Sequence, residues 1–323
     1  MKILFPDSIE SAPISSSQTA PGAQFVAYDR RLPIPIEHHD ARGLVVWLNS
    51  PKQLSSCVQD LSELQWVQSL ASGTDNLVSA GFGARVQICS GAGLHNGPVA
   101  EHALALILAA TRRVDLLLDA QREHRWAKEL SGPNTVGPQD GGSFPGLGSL
   151  LGARALIVGF GEIGRTLAPL LLSLGAKVSA VASRARVEDG IEVFTLDELP
   201  NLVAKSDLVI NILPSTSETV GLFDATVFAK FLPHAWFFNV GRGTTVVEND
   251  LIAALNNNVI AGAGLDVFER EPLSSEEPIW LAKNLITSPH SAGGRPQNYW
   301  PRIIENYNRF IAGADLINAV NTR

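Results

Sequence analysis

Cysteine and methionine are nearly absent from this 323-residue chain: Cys57, Cys89 and one Met. Two thiols cannot form a disulfide framework or a zinc cluster, so the expectation is a reduced, cytoplasmic protein with no metal site. Charge is sparse as well, 18% of residues against about 25% in an ordinary soluble chain. The 25 basic and 32 acidic residues leave a formal net charge of −7, with no block of Lys and Arg. Binding to nucleic acid therefore lacks its electrostatic basis. Apolar runs such as 103–110 fall short of the ~20 residues a membrane span requires. At the amino terminus Ile3-Leu4-Phe5 runs straight into Pro6 and Asp7, which excludes a signal-peptide core.

What is present is apolar sequence, 45% of the chain, cut into short pieces. At about 150 residues per domain the length predicts two domains. The runs at 3–5, 25–28, 44–48 and 86–88 read as strands, with helices predicted over 53–60 and 76–80. Strands alternating with helices predict a parallel sheet covered on both faces. A single long helical pattern runs from Pro98 to about Trp126, carried by Val99, Leu104, Ile107, Leu108, Val114, Leu117 and Leu118. Pro98 suits a first-turn position. The Gly- and Pro-rich stretch 131–148 reads as a long loop, and 11–31 carries no clear pattern. A second parallel sheet is predicted from strands at 155–158, 178–181, 208–212, 237–240, 262–267 and 284–287, with a final helix at 302–313 folding back on the first domain.

The phosphate-binding signal is Gly159-Phe160-Gly161-Glu162-Ile163-Gly164, a G-x-G-x-x-G. Among 28 glycines the pattern alone is weak, but here it follows a buried strand and opens a helix. Gly159 permits the turn, Gly161 lets backbone approach a pyrophosphate, and Gly164 lets helix and strand pack closely. An NAD site calls for an acid about twenty residues on, at the end of the second strand. That place holds Ala182, followed by Ser183, Arg184, Ala185 and Arg186. Loss of the carboxylate and gain of guanidinium groups favour a 2′-phosphate, hence NADP, with NAD left open. Glu188 and Asp189 come too late to be the ribose acid.

Three further segments each follow a predicted strand of the second sheet: Asn239-Val240-Gly241-Arg242-Gly243, Leu265-Asp266 through Glu271-Pro272, and Thr287-Ser288-Pro289-His290. Ligands bind at such carboxyl-side strand ends. At this spacing the chain resembles the D-isomer-specific 2-hydroxyacid dehydrogenases, from about Leu44 to its end. Ala71-Ser72-Gly73-Thr74-Asp75-Asn76 and Pro98-Val99-Ala100-Glu101-His102 resemble that family's substrate-loop and hinge-helix motifs.

The resemblance implies an α/β protein of two doubly wound parallel-sheet domains. A Rossmann cofactor domain, 98–291, is inserted into a flavodoxin-like substrate domain of 1–97 plus 292–323. The region of about 98–150 would be the arm of a homodimer, with hinges near Gly97-Pro98 and Ser291-Ala292. Catalysis would fall to Arg242, Glu271 and His290, and Asp266 would receive the nicotinamide carboxamide. Glu162, Ile163 and groups near Pro214, Thr219 and Val240 would line the cofactor. Backbone amides around Ser72 and Gly73 would bind the substrate carboxylate, and Trp47, Leu48 and Asn49 would select its side chain.

These roles are chemically coherent. A 2-oxo acid takes hydride at C2 and a proton at the developing alkoxide. Imidazole titrates near working pH, a neighbouring carboxylate favours its charged form, and a guanidinium matches a carboxylate and a carbonyl oxygen. The other histidines show no metal-ligand spacing, and His95 is a candidate substrate contact. The Trp-Leu-Asn loop lacks the basic residues of phosphoglycerate dehydrogenases, and no regulatory domain is expected beyond Arg323. Ser72 stands where phosphite dehydrogenases carry Lys, and Glu271 where formate dehydrogenases carry Gln. The expectation is reduction of glyoxylate or hydroxypyruvate, with a larger 2-oxo acid still open. The alternative is a dinucleotide-binding, corepressor-like or scaffold module with little catalysis.

Overall fold

The computed structural model describes residues 1–11, 22–82, 86–130 and 148–320. The chain divides into two compact units, Met1–His95 with Arg295–Arg323, and Asn96–Gly294.

Among the described residues of unit 1, five strands form one parallel sheet: β1 (Lys2–Pro6), β2 (Gln24–Tyr28), β3 (Gly43–Val46), β4 (Trp66–Ser69) and β5 (Gln87–Cys89). Their order is β2-β1-β3-β4-β5, the flavodoxin-like doubly wound arrangement. Alternate residues point to opposite faces. Leu4, Leu44 and Val67 pack with Leu54 and Cys57 of α1 (Pro51–Asp60), while Ile3, Phe5, Val45 and Trp66 face Trp300, Ile303 and Tyr307 of the last helix (Tyr299–Ile311). Ser50 caps α1 by accepting from the Gln53 N–H, and Pro51 occupies its first turn. Sequence periodicity misses β4, because Trp66-Val67-Gln68-Ser69 is buried on both faces and so does not alternate.

In unit 1 a short helix, α2 (Asp75–Ala80), follows β4; unit 2 opens with α3 (Asn96–Thr111) and α4 (Val114–Arg122). The single helix expected over 98–126 is therefore two. Arg113 breaks it with a left-handed backbone, φ 49°, and its guanidinium turns back onto Asp115 and Asn284 and lies over the Trp236 ring. The loop expected at 131–148 lies, apart from Gly148, outside the described residues, as does much of 11–31.

The second sheet is built on β6 (Arg154–Val158), β7 (Lys177–Val181), β8 (Arg186–Glu188), β9 (Ile191–Phe194), β10 (Leu208–Asn211), β11 (Trp236–Asn239), β12 (Gly262–Leu265) and β13 (Leu285–Thr287). Its order is β13-β12-β11-β10-β6-β7-β9-β8, parallel except for β8 against β9. The chain runs outward from β6 to β8, then returns to β10 on the other side of β6. That reversal opens a crevice at the carboxyl ends of β6 and β10. Ala155, Ile157, Ile210 and Phe238 pack on α3 and on α5 (Glu162–Ser173), while Leu156, Val158, Val209 and Phe237 pack on the opposite layer with Phe228 and Leu251. The β8–β9 hairpin is an element the sequence reading did not anticipate. Both cysteines are free and buried, and burial pushes their thiols up, Cys57 to about 12 and Cys89 to about 11. At neutral pH they are inert thiols.

Candidate active site

The glycine turn lies at the sheet reversal. Gly159 has φ 104°, and a Cβ there would stand 2.9 Å from the Ile212 carbonyl group that follows β10. Only glycine fits both conditions. Gly161 precedes α5 with open space where a Cβ would project, and Gly164 packs against the Gly159 carbonyl. No side chain caps α5. The N–H groups of its first turn, beginning at Glu162 and Ile163, are therefore directed at an anion site. These residues fit a dinucleotide.

Beyond β7, Ser183 and Arg184 form an exposed turn. Arg186 returns toward the glycine turn: it donates to the Phe160 carbonyl (3.3 Å) and lies over the Phe160 ring. Its Nε donates to Glu188 (2.6 Å), which also receives Arg165 of α5. Glu188 thus joins two guanidinium groups beside the turn, a connection made by the β8–β9 hairpin and invisible to residue spacing. Those guanidiniums hold its carboxyl below the usual range. Thr219 is buried, and its hydroxyl donates to the Pro214 carbonyl (2.6 Å), so the pair fixes the loop after β10. Val240 is buried directly after β11.

Arg242 follows β11 on a backbone held by buried amides. Asn211 donates to Asn239 (3.1 Å) and to Thr245 (2.7 Å); Asn239 and Thr245 both donate to the Arg242 carbonyl (3.1 and 2.6 Å). Gly243 passes so close to the Phe268 backbone that a Cβ would overlap it at 1.9 Å. Arg242 is therefore placed by its neighbours' polar interior, a network the sequence reading missed although Asn211 and Asn239 end adjacent paired strands.

Glu271 and His290 meet, with Glu271 Oε2 2.6 Å from His290 Nδ1. The other oxygen, Oε1, accepts from the Phe268 N–H (2.9 Å), which fixes the carboxylate plane. His290 side chain is 49% exposed, so its ring reaches solvent while its inner nitrogen is held. With Nδ1 committed to the carboxylate, Nε2 is the nitrogen left for a reacting group. The pair lines a groove of about 610 Å³ with Phe268, Leu273 and Trp280. Asp266 is buried and accepts from Ser288 Oγ (2.6 Å), Ser291 N (2.9 Å) and Ala292 N (2.9 Å). It thereby clasps the turn that carries His290. His102 of α3, noted in the sequence only as part of a helix motif, lies 2.7 Å from Ser288 Oγ.

In unit 1, Ser72 is exposed and Gly73 half-buried, in the loop between β4 and α2. The Trp47 ring lies 5.3 Å from His95, tilted by 30°, and His95 Nε2 sits 2.7 Å from the Leu70 carbonyl. Leu48 is exposed with φ 61°. Asn49 accepts from the Trp47 N–H (2.9 Å) and donates to Tyr28 and Gln53 (2.8 and 2.7 Å). Its amide shapes the loop from within, so of the three residues expected to select a side chain, Asn49 acts on the others' placement.

The sequence profile of the D-isomer specific 2-hydroxyacid dehydrogenase NAD binding domain matches residues 104–292. Glyoxylate/hydroxypyruvate reductase B of Salmonella schwarzengrund is 34% identical over 237 residues, 72% of this chain and 69% of the relative. A D-isomer specific 2-hydroxyacid dehydrogenase family protein from Aeromonas salmonicida is 27% identical, with a TM-score of 0.81 over 100% of this chain and 99% of that one. A D-isomer specific 2-hydroxyacid dehydrogenase from Xanthobacter autotrophicus, solved with NADPH and MES, is 27% identical, with a TM-score of 0.74 over 99% of this chain and 98% of that one. With its glycine turn at the sheet reversal and its carboxylate–imidazole pair at the strand ends, the chain belongs to the D-isomer specific 2-hydroxyacid dehydrogenase family.

Proposed function

We propose that the protein is an NADPH-dependent reductase of small 2-oxo acids, forming the D-2-hydroxy acid, with glyoxylate or hydroxypyruvate as its substrate. The observation that carries this reading is the 2.6 Å contact between Glu271 and His290 Nδ1. When bound, the nicotinamide supplies the hydride that C2 accepts. His290 gives the matching proton from Nε2 to the oxygen as it becomes an alkoxide, and Glu271 stabilises the imidazolium and holds the ring. Arg242 binds the substrate's carboxylate and carbonyl oxygen. Ser72 and Gly73 offer backbone N–H groups to the same carboxylate, and Trp47 and Leu48 bound its side chain. Asp266 accepts from the nicotinamide carboxamide.

Cofactor choice rests on Ala182 in place of an acid and on Ser183, Arg184 and Arg186 beside the glycine turn. The NADPH complex of the Xanthobacter relative supports it, and the Salmonella reductase supports the substrate. The protein works as a cytoplasmic homodimer: its buried free thiols suit a reducing compartment, and α4 displays Val114, Leu117 and Leu118, with Trp126 93% exposed beyond it. No described helix is long and apolar enough to cross a membrane.

Initial rates with glyoxylate, hydroxypyruvate, pyruvate and phenylpyruvate, each with NADPH and NADH, test the reading. Turnover preferring NADPH is expected, fastest with one of the first two acids. Replacing Arg184 and Arg186 by Ala should weaken NADPH about tenfold, the loss of a charged hydrogen bond, and leave NADH unchanged. Absence of turnover despite NADPH binding would refute the reductase reading, and light scattering at one-chain mass would refute the dimer.

A further inference from the structure

His102 lies at the start of a one-way chain of hydrogen bonds that ends on the turn carrying His290. Asp266 accepts two backbone N–H groups, from Ser291 and Ala292, and takes the Ser288 hydroxyl as a third donor. The proton in its 2.6 Å contact with Ser288 is therefore the serine's. A hydroxyl has one proton, and Ser288 has spent it. The 2.7 Å contact between Ser288 Oγ and His102 Nε2 must then be made by a proton on the imidazole. Direction runs from His102 to Ser288 to Asp266, and His102 Nε2 also stands 3.3 Å from Asp266 Oδ1.

The chain has a local purpose. His290 has φ 51°, a left-handed backbone that a non-glycine residue keeps only where its surroundings hold it. Asp266 holds it from both sides: its carbonyl accepts the His290 N–H (2.8 Å), and its carboxylate takes the donors at 288, 291 and 292. His102 is 25% exposed and Asp266 1% exposed, so the imidazole is the more solvent-exposed member of this contact.

We infer that His102 is a positioning residue for the proton-transfer step, acting through Ser288 and Asp266 to fix the backbone and hence the ring of His290. The inference rests on the reductase reading for its kinetic effect, and the hydrogen-bond direction stands independently of that reading.

The experiment compares His102→Leu, His102→Gln and Ser288→Ala in the full-length protein, measuring kcat, the 2-oxo acid KM, NADPH Kd and Tm. A misplaced proton donor costs about tenfold to a hundredfold. His102→Leu and Ser288→Ala should lose that much in kcat with NADPH Kd unchanged. His102→Gln, whose amide N–H reaches the same oxygen, should recover most of it. Equal kcat in His102→Leu and wild type, or equal damage from Leu and Gln, would overturn the inference; so would parallel losses of Tm and NADPH binding. Selective ¹⁵N-histidine NMR reads the direction directly. Nε2 of His102 should carry a proton in the wild type, and an unprotonated Nε2 would overturn the inference even if the wild type reduces every acid. Should the wild type reduce none, the reductase reading fails, and the NMR result still decides the His102 contact.

Discussion

Two of the histidine–carboxylate pairs among the described residues stand at opposite ends of the eight-stranded sheet and do different things. At the carboxyl ends, Glu271 meets His290 at 2.6 Å, with the ring 49% exposed above a groove. At the amino ends, Asp207 meets His234 at 2.9 Å and also receives the Arg154 guanidinium through two bonds (2.6 and 3.0 Å) and the Arg154 backbone N–H. Burial pushes the Asp207 carboxyl up, but these donors override it and hold it at about 2. Every acceptor position of Asp207 is used, and neither Asp207 nor His234 lines the groove beside Glu271 and His290. Glu271 has one oxygen on a backbone N–H and one on an imidazole whose far nitrogen is free to act. A contact distance does not single out the pair proposed as catalytic; the groove beside it does.

That contrast can be broken at several points. Glu271→Gln should lower kcat on the order of a hundredfold, the scale of a general acid–base contribution, with NADPH binding retained. Asp207→Asn should leave kcat unchanged and cost about 1–2 kcal/mol at pH 7, allowing for solvent screening at the half-exposed Arg154. Its folded value lies below the unfolded one, so the contribution is complete above about pH 4 and lost as pH falls through about 2. A thermal-denaturation series should therefore show wild type and Asp207→Asn converging in acid, and a constant gap would contradict the assignment. Smallest of all, His234→Gln keeps a donor toward Asp207 and should cost less than about 1 kcal/mol with kcat unaltered.

Sequence could reveal what lies in short, ordered patterns. Gly159 to Gly164, the strands that end at Val158, Asn211, Asn239 and Thr287, and the Arg, Glu-Pro and Pro-His segments are all local, and the sheet brings them to one edge. Asn239, Thr245 and Ser288 are ordinary polar residues whose roles arise only when separate loops pack together. The same holds for Glu188, which a two-residue hairpin turns back toward Arg165. The break at Arg113 escaped because apolar periodicity continues across it into α4, while the guanidinium at the left-handed turn is held by Asp115 nearby and by Asn284 and Trp236 from elsewhere. Asn49 shows the converse limit. Its position between β3 and α1 was legible, but the direction of its amide, into Tyr28 and Gln53, was not.

In the proposed reductase, His290 supplies the proton while Arg242 and the glycine turn bind. The most direct test is the rate of NADPH oxidation by wild type and His290→Gln with saturating hydroxypyruvate, with NADPH affinity measured by fluorescence in the same samples. A loss of about 10²–10⁴-fold in kcat with unchanged NADPH affinity is the predicted result. Turnover by His290→Gln within about threefold of wild type would contradict it, since general acid catalysis by one side chain is worth at least about a hundredfold.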